Sequence, residues 1–291
     1  MPLTPSLLPD LTLLVNRHTR LMPPGWEFTE AQVARVIASA NSQWRHHYPD
    51  LPDGEVEAFC SLDSDRLVAA AQLKHYPADA DSAPETYVLW AFADPMMEGA
   101  ADALFAEIVC RARGAEIDAG SRHAFGVGWF GLPVVWPHLV DAAARHGFVA
   151  KWEWVIMTGE AAPLVAVAQP APPGELSWRV DEQALEWDLT LRRDGKMAAE
   201  CQVWGIPPHL EGCPGSDQWA VVEWIGVEEP FRRQGLALFL LREQARFHLA
   251  RGIAHLLLYT ESDNAELQAF AAALGFQLGP RCLRLYHAAE G

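Results

Sequence analysis

The stretch Val227-Glu228-Glu229-Pro230-Phe231-Arg232-Arg233-Gln234-Gly235-Leu236-Ala237 joins an apolar strand, Trp219 to Val227, to a helical run from Gly235 to Arg251. Its residue types suit the cradling of a diphosphate. Gly235 removes a side chain where backbone must approach an anion, and the small Ala237 permits close packing. The amides at a helix start point outward with the positive end of the dipole. Arg232 and Arg233 add positive charge to a chain whose formal net charge is -16. Neither G-x-x-x-x-G-K-[ST] nor G-x-G-x-x-G is present, so a nucleoside triphosphate or a dinucleotide fits less well.

Outward from this loop, the chain reads as two copies of one succession of elements. Trp187 to Ile206 reads as a hairpin with Asp194-Gly195 as its turn, and Glu57 to Tyr76 reads as a second hairpin, with Arg66 to Ala69 matching Lys196 to Ala199 at an offset of 130. Each hairpin precedes an apolar strand and a helix: Tyr87 to Ala93 then Gly99 to Arg113, and Trp219 to Val227 then Gly235 to Arg251, with Trp90 paired to Trp224 at an offset of 134. In the later helix Leu236, Phe239, Leu240, Phe247 and Leu249 form much of an apolar stripe, with Arg242, Glu243 and Arg246 opposite. A further strand follows in each copy, His123 to Val127 and His255 to Tyr259, then a helix and a closing His146-Gly147-Phe148 or Leu274-Gly275-Phe276 at an offset of 128. The pattern predicts a duplicated α/β (α+β) domain: residues 1-158, an Ala- and Pro-rich linker at 159-174, and a second copy at 175-291. A helical segment from Thr29 to Arg45 precedes the first hairpin, and the second copy lacks such a front.

Arg232-x-x-Gly235-x-Ala237 resembles the [Q/R]-x-x-G-x-[G/A] loop by which GNAT acetyltransferases hold the pyrophosphate of CoA. The strand ending at Val227 and the run Asn264-x(10)-Gly275-Phe276 are similar to the same family in spacing. The resemblance implies two tandem GNAT-like domains, each a mixed, mainly antiparallel sheet flanked by helices, with acetyl-CoA as cosubstrate of the second. It implies Ile225, Val227, Arg232, Arg233, Gln234, Gly235, Leu236, Ala237 and Asn264 as the cosubstrate-binding residues, Asn264 through the pantetheine arm or a nearby water. The implied activity is transfer of an acetyl group to a primary amine, on a small molecule or a protein N-terminus, in a ternary complex. A CoA-binding sensor or scaffold that has lost turnover is the alternative. In the first copy the corresponding loop is Asp94-Pro95-Met96-Met97-Glu98-Gly99-Ala100-Ala101; it has no arginine and two carboxylates, which repel a diphosphate.

An amine attacks a thioester only as the free base, so the reaction needs a proton acceptor. Glu223 is the candidate: alternation puts it on one strand face with Ile225 and Val227, and the family often has a glutamate here. A solvated or salt-bridged strand-end carboxylate is the competing reading. Glu200, replaced by Ala70 in the first copy, is a second acidic candidate. The family often supplies a tyrosine to the leaving thiolate four residues before the glycine of Gly-Phe, but Ala271 stands there, leaving Tyr259, Ser262 and Tyr286 as nearby hydroxyls. The resemblance also implies a main-chain N–H near Val227 as the group that polarises the acetyl carbonyl.

With 291 residues and 50% hydrophobic content, the chain is long enough for two modest cores. Its acidity disfavours nucleic acid and acidic membranes and favours amine-bearing partners. No run approaches the ~18 apolar residues of a membrane span, and the N-terminus lacks the marks of a signal peptide. A cytoplasmic location is the expectation. The five cysteines are scattered without C-x-x-C and read as reduced thiols. Arg45-His46-His47-Tyr48 and His209-x-x-x-Cys213 lack a complementary second ligand pair, so no metal is expected. The Pro- and Gly-rich loop from Ile206 to Gln218 reads as an acceptor wall or as a plain solvent loop.

Overall fold

The computed structural model describes residues 1–42, 53–78, 83–120, 123–166 and 170–289. The chain divides into two compact units, Met1–Val155 together with Gly279–Gly291, and Ile156–Leu278.

The first unit contains α1 (Leu8–Thr19), α2 (Glu30–Ala38), β1 (Glu55–Asp63), β2 (Arg66–Tyr76), β3 (Glu85–Ala93), α3 (Ala100–Arg111), β4 (Glu116–Ala119), β5 (Leu132–Pro133), α4 (Pro137–Arg145) and the first part of β6 (Val149–Glu160). The second contains the end of β6, α5 (Ala161–Ala166), β7 (Glu175–Asp181), β8 (Glu186–Arg193), β9 (Lys196–Trp204), β10 (Trp219–Val227), α6 (Leu236–Leu249), β11 (His255–Glu261), α7 (Ala265–Ala273) and the start of β12 (Gln277–His287). The strand order is β1-β2-β3-β4-β12 in the first unit and β11-β10-β9-β8-β7 in the second. In each, one parallel pair, β3 with β4 or β10 with β11, adjoins antiparallel hairpins.

The duplication is visible residue by residue. Asp63 pairs with Arg66 across Ser64-Asp65, and Arg193 with Lys196 across Asp194-Gly195. All four turn residues have positive φ, the two-residue hairpin geometry whose twist matches that of the strands. Gly99 and Gly235 both precede a helix at left-handed φ, +75° and +73°.

Three sequence expectations need correction. Residues 123–127 form no strand; the parallel partner of β3 is β4, and the segment after it is a turn. The front of the expected linker, residues 159–166, is ordered into the second unit: β6 runs to Glu160 and α5 follows at once, with Ala161 and Leu164 buried in that unit's core. The stretch's alanines and prolines suggested a spacer, yet its alanines allow a short helix to pack closely. The final strand also departs from a contiguous second domain, since residues 279–291 group with the first unit. The predicted helix from Thr29 opens with a capping box between Thr29 and Gln32, ends at Ala38, and its expected end at Arg45 lies outside the described residues.

The second core packs α6 on β8, β9 and β10 through Leu236, Phe239, Leu240, Leu241 and Ala245 against Trp187, Leu189, Leu191, Cys201, Val203 and Val222. Gln244 is a polar residue at the centre of this contact, fully buried, with Nε2 donating to the carbonyls of Trp187 (2.8 Å) and Cys201 (2.9 Å). It ties the helix to two strands. Gln244→Leu keeps the volume and deletes both bonds, and urea unfolding is expected to show a loss of about 2–3 kcal/mol. Unchanged stability would mean that the amide is replaceable by packing alone. Among the described residues no helix is long and apolar enough to cross a membrane.

Candidate active site

The loop from β10 to α6 is built by backbone geometry. Glu229–Phe231 forms a single 3-10 turn, Arg233 adopts φ +61°, and Gly235 caps α6 at φ +73° without a side-chain cap. A non-glycine residue in the left-handed region is uncommon, and here, with Gly235, it turns the chain into α6, whose first amides have no acceptor within the helix itself. A cavity of ≈1170 Å³ opens beside this loop, lined by Ile225, Val227, Arg232, Arg233, Gly235, Leu236, Ala237 and Asn264 among others. Gln234 is not in its wall; its side-chain carbonyl accepts from the Arg193 guanidinium. Arg193 thus brings a third cation from the β8–β9 hairpin to the loop, which sequence spacing alone did not indicate. Arg232 Nε donates to the carbonyl of Val227 at 3.1 Å, fixing the loop to the strand end. Glu200, Glu228, Glu229 and Glu266 also line the cavity, so its charge is positive only near the arginines.

Strands β10 and β11 part in the middle. Their parallel register runs from Trp219↔His255 to Val222↔Leu258 and stops. On its other side β10 stays paired with β9 as far as Val227, with a bulge between Val222 and Trp224 that makes Glu223 the extra residue. A bulge bends its strand and resets the alternation of side chains. Ala220 and Val222 face the α6 core before it, Ile225 and Val227 pack on that core after it. Glu223 therefore does not share a face with Ile225 and Val227, contrary to the simple period of two. The carboxylate instead meets the phenol of Tyr259, whose Oη donates to Oε2 at 2.5 Å. Both residues stand one position beyond the last β10–β11 pair, at the mouth of the fork.

Asn264 is the N-cap of α7: Oδ1 accepts from the Leu267 amide at 3.1 Å, and Nδ2 donates to Thr260 Oγ1 at 3.0 Å. Its place in the cavity wall is thus held by the helix it starts. Ala271 is fully buried in the core and presents no group to the fork. Burial pushes the Cys201 thiol up, which removes it as a nucleophile. His209 and Cys213 are buried within the Ile206–Gln218 loop, and Arg45 to Tyr48 lie outside the described residues. Among the described residues no group of three or more His, Cys, Asp or Glu side chains is placed to hold a metal.

The first unit repeats the frame and closes it. Its β3 has a bulge at the matching place, with Leu89 as the extra residue where the second unit has Glu223. The Leu89 carbonyl accepts from the Ala124 amide at 3.1 Å, so the segment after β4 occupies the gap. Phe125, Trp129 and Trp136, all buried, form an aromatic cluster with Trp90 and Phe92 of the same strand. Trp90 is buried and bonded to Gln72 Oε1 at 2.8 Å, whereas its counterpart Trp224 is 56% exposed. Asp94, buried in the counterpart of the arginine loop, accepts from Arg17 and Arg66 at 2.5 Å each. These guanidiniums are taken up by the protein's own carboxylate.

Residues 138–276 match the acetyltransferase (GNAT) family. No curated protein matches the sequence. Among solved structures, a tandem GNAT protein from the clavulanic acid biosynthesis pathway superposes with a TM-score of 0.67 at 16% identity, covering 100% of this chain and 98% of that one. A GCN5-related N-acetyltransferase from Sphaerobacter thermophilus gives 0.59 at 12% identity, covering 100% and 95%. At such identities the likeness speaks to fold, and with the family match it agrees with the loop and forked strands of the second unit. Residues 138–276 are thus a GNAT acetyltransferase-family domain, and the chain as a whole has the fold of a tandem GNAT protein.

Proposed function

We propose that the Ile156–Leu278 unit transfers an acetyl group from acetyl-CoA to a primary amine, on a small molecule or a protein N-terminus, by direct attack. The observation that carries this reading is the contrast between the two bulges: a carboxylate at an open fork in the second unit, a leucine at a filled one in the first. The diphosphate of CoA suits the first amides of α6 and the cations Arg232 and Arg233. The pantetheine arm follows the apolar wall of Ile225, Val227 and Phe270 towards the fork. The β10–β11 register ends at Val222↔Leu258, and a main-chain N–H near Val227 is the donor for the acetyl oxygen as negative charge develops on it. The amine approaches Glu223 from the other face of the sheet, loses its proton to the carboxylate and attacks the thioester carbon. The net charge of -16 favours the approach of amines in their common cationic form.

Arg232→Ala is expected to weaken acetyl-CoA binding about tenfold, corresponding to the loss of one charge-assisted phosphate contact. Calorimetry at two ionic strengths checks this, and the loss should shrink at high salt. An unchanged dissociation constant would remove the arginine loop from cosubstrate binding. Tight acetyl-CoA binding by the wild type with no transfer to any of a panel of amines would favour the sensor reading.

A further inference from the structure

We propose that Glu200 and Trp224 form a subsite for a second positive charge on the acceptor, so that the preferred amine is an aliphatic diamine. The proposal rests on the transferase reading of the same cavity and specifies what is acetylated there.

Both residues line the ≈1170 Å³ cavity, and the register puts them on one face of the sheet. Glu200 is paired with Gly226 and Gln202 with Trp224, while the alternate pairs Cys201↔Ile225 and Ala199↔Val227 turn to the α6 core. The face that carries Glu200 and Trp224 is therefore the one away from α6, the side from which the amine approaches Glu223. Gly226 has no side chain, and the Trp224 indole lies across it: a Cβ there would come within 2.9 Å of Nε1 and 3.3 Å of Cε2. The ring thus covers the residue directly opposite Glu200, and directly opposed residues of antiparallel strands hold their Cβ atoms about 5 Å apart. A carboxylate beside an indole holds an ammonium group from two sides, by charge and by the quadrupole of the ring.

Neither group is engaged within the protein. Trp224 is 56% exposed, and among the described residues no partner bonds its N–H or the Glu200 carboxylate. Neighbouring carboxylates are taken up, Glu186 and Asp188 by Arg179 and Glu223 by Tyr259. Glu228, Glu229 and Glu266 also line the cavity, but on the loop and in α7 and not on the sheet. In the first unit the same register, Ala70↔Phe92 and Gln72↔Trp90, puts Ala70 in the place of Glu200 and Phe92 in the place of Gly226. Phe92 stacks on the buried Trp90 at 5.9 Å. The carboxylate, the uncovered indole and the glycine beneath it thus occur together, in the unit that carries the arginine loop and Glu223. Gly226 lies three residues beyond Glu223, about 10 Å of extended strand before the bulge shortens it. The second charge therefore belongs at the far end of a short aliphatic chain and not beside the reacting nitrogen.

The test uses the full chain, saturating acetyl-CoA and a matched pair of acceptors, putrescine and butylamine, which share one carbon chain and differ by an ammonium group. kcat/KM for putrescine is expected to exceed that for butylamine about thirtyfold, the combined effect of a charge-assisted and a cation–π contact. Glu200→Gln should cut this ratio about tenfold and Trp224→Leu about threefold, through KM more than kcat. Added salt should lower the wild-type ratio. Because each ratio compares two substrates of one preparation, partial misfolding of a variant cancels from it. A wild-type ratio below threefold, or a ratio that either variant leaves unchanged, would overturn the subsite while the transferase reading stands. Faster acetylation of glucosamine or of a peptide with a free N-terminus than of putrescine would do the same. Wild-type protein that binds acetyl-CoA but acetylates none of these amines would overturn both.

Discussion

Glu223→Gln is expected to lower kcat for amine acetylation about 10³-fold, within the range that general-base catalysis supplies, while leaving acetyl-CoA affinity unchanged. The amide has the same shape as the carboxylate, and its oxygen can still accept from Tyr259 as Glu223 Oε2 does. The bulge and the fork therefore survive, and the variant removes only the capacity to hold a proton. Glu223 is absent from the wall of the ≈1170 Å³ cavity, so cosubstrate contacts should not feel the change. A thousandfold loss corresponds to about 4 kcal/mol of transition-state free energy, far more than one surface carboxylate contributes through field effects. Glu200→Gln separates the two acidic candidates. Glu200 lies opposite Gly226 and does line the cavity, so its loss should alter binding before rate. A Glu223→Gln enzyme within tenfold of wild-type kcat, measured with saturating amine and acetyl-CoA, would show that water or the substrate itself disposes of the proton.

What the sequence made legible was local. Asp194-Gly195 announces its hairpin because few other pairs tolerate two positive φ angles, and the 130-residue offset then finds Ser64-Asp65. Gly235 stands before α6 at positive φ as its place in the sequence suggested, and Arg232 and Arg233 line the cavity beside it. The bulge at Glu223 was not legible, because it is a property of pairing with β9: one extra residue flips every side chain after it, and nothing within Trp219 to Val227 marks the place. For the same reason the Tyr259 contact escaped, as it depends on the register of β10 against β11. The misplaced strand at 123–127 has another cause. Its alternating His-Ala-Phe-Gly-Val looks extended, but Phe125 serves a buried aromatic cluster, with rings 5.3 Å from Phe28 and 5.7 Å from Trp90. Burial on all sides erases the distinction between strand and packed turn.

Acidification from pH 7.5 to 5.0 is expected to cost the first unit about 4 kcal/mol through His18 and His123 and the second about 2 through His248, because each buried neutral histidine with a folded pKa of about 3 to 4 contributes about 2 kcal/mol over this interval. The first unit has a further loss through His138, whose pKa burial also lowers. His18 packs against Phe92 and Trp136, and burial lowers its pKa to about 4. His123 lies among Trp129, Trp136 and Phe92, and burial lowers its pKa to about 3. In the second unit burial against Trp187, helped by Arg251, lowers His248 to about 4. The sign follows from proton binding: below about 6.5 the unfolded chain takes up a proton at each site that the folded chain refuses. The stabilisation is therefore complete above that pH and drains away as pH falls towards the folded values. Their exact depth does not matter at pH 5.0, since all three lie below it. Pulse proteolysis in urea, with fragments assigned to each unit by mass spectrometry, resolves the two losses. His123→Phe keeps an aromatic ring in the cluster and removes one titrating site, although it gives up the 3.3 Å bond from the Phe125 amide to Nδ1. Whatever its stability at pH 7.5, its further loss on going to pH 5.0 should be about 2 kcal/mol smaller than that of the wild-type first unit. Equal pH dependence in variant and wild type would mean that His123 is already charged in the folded protein, and that the aromatic cluster admits water.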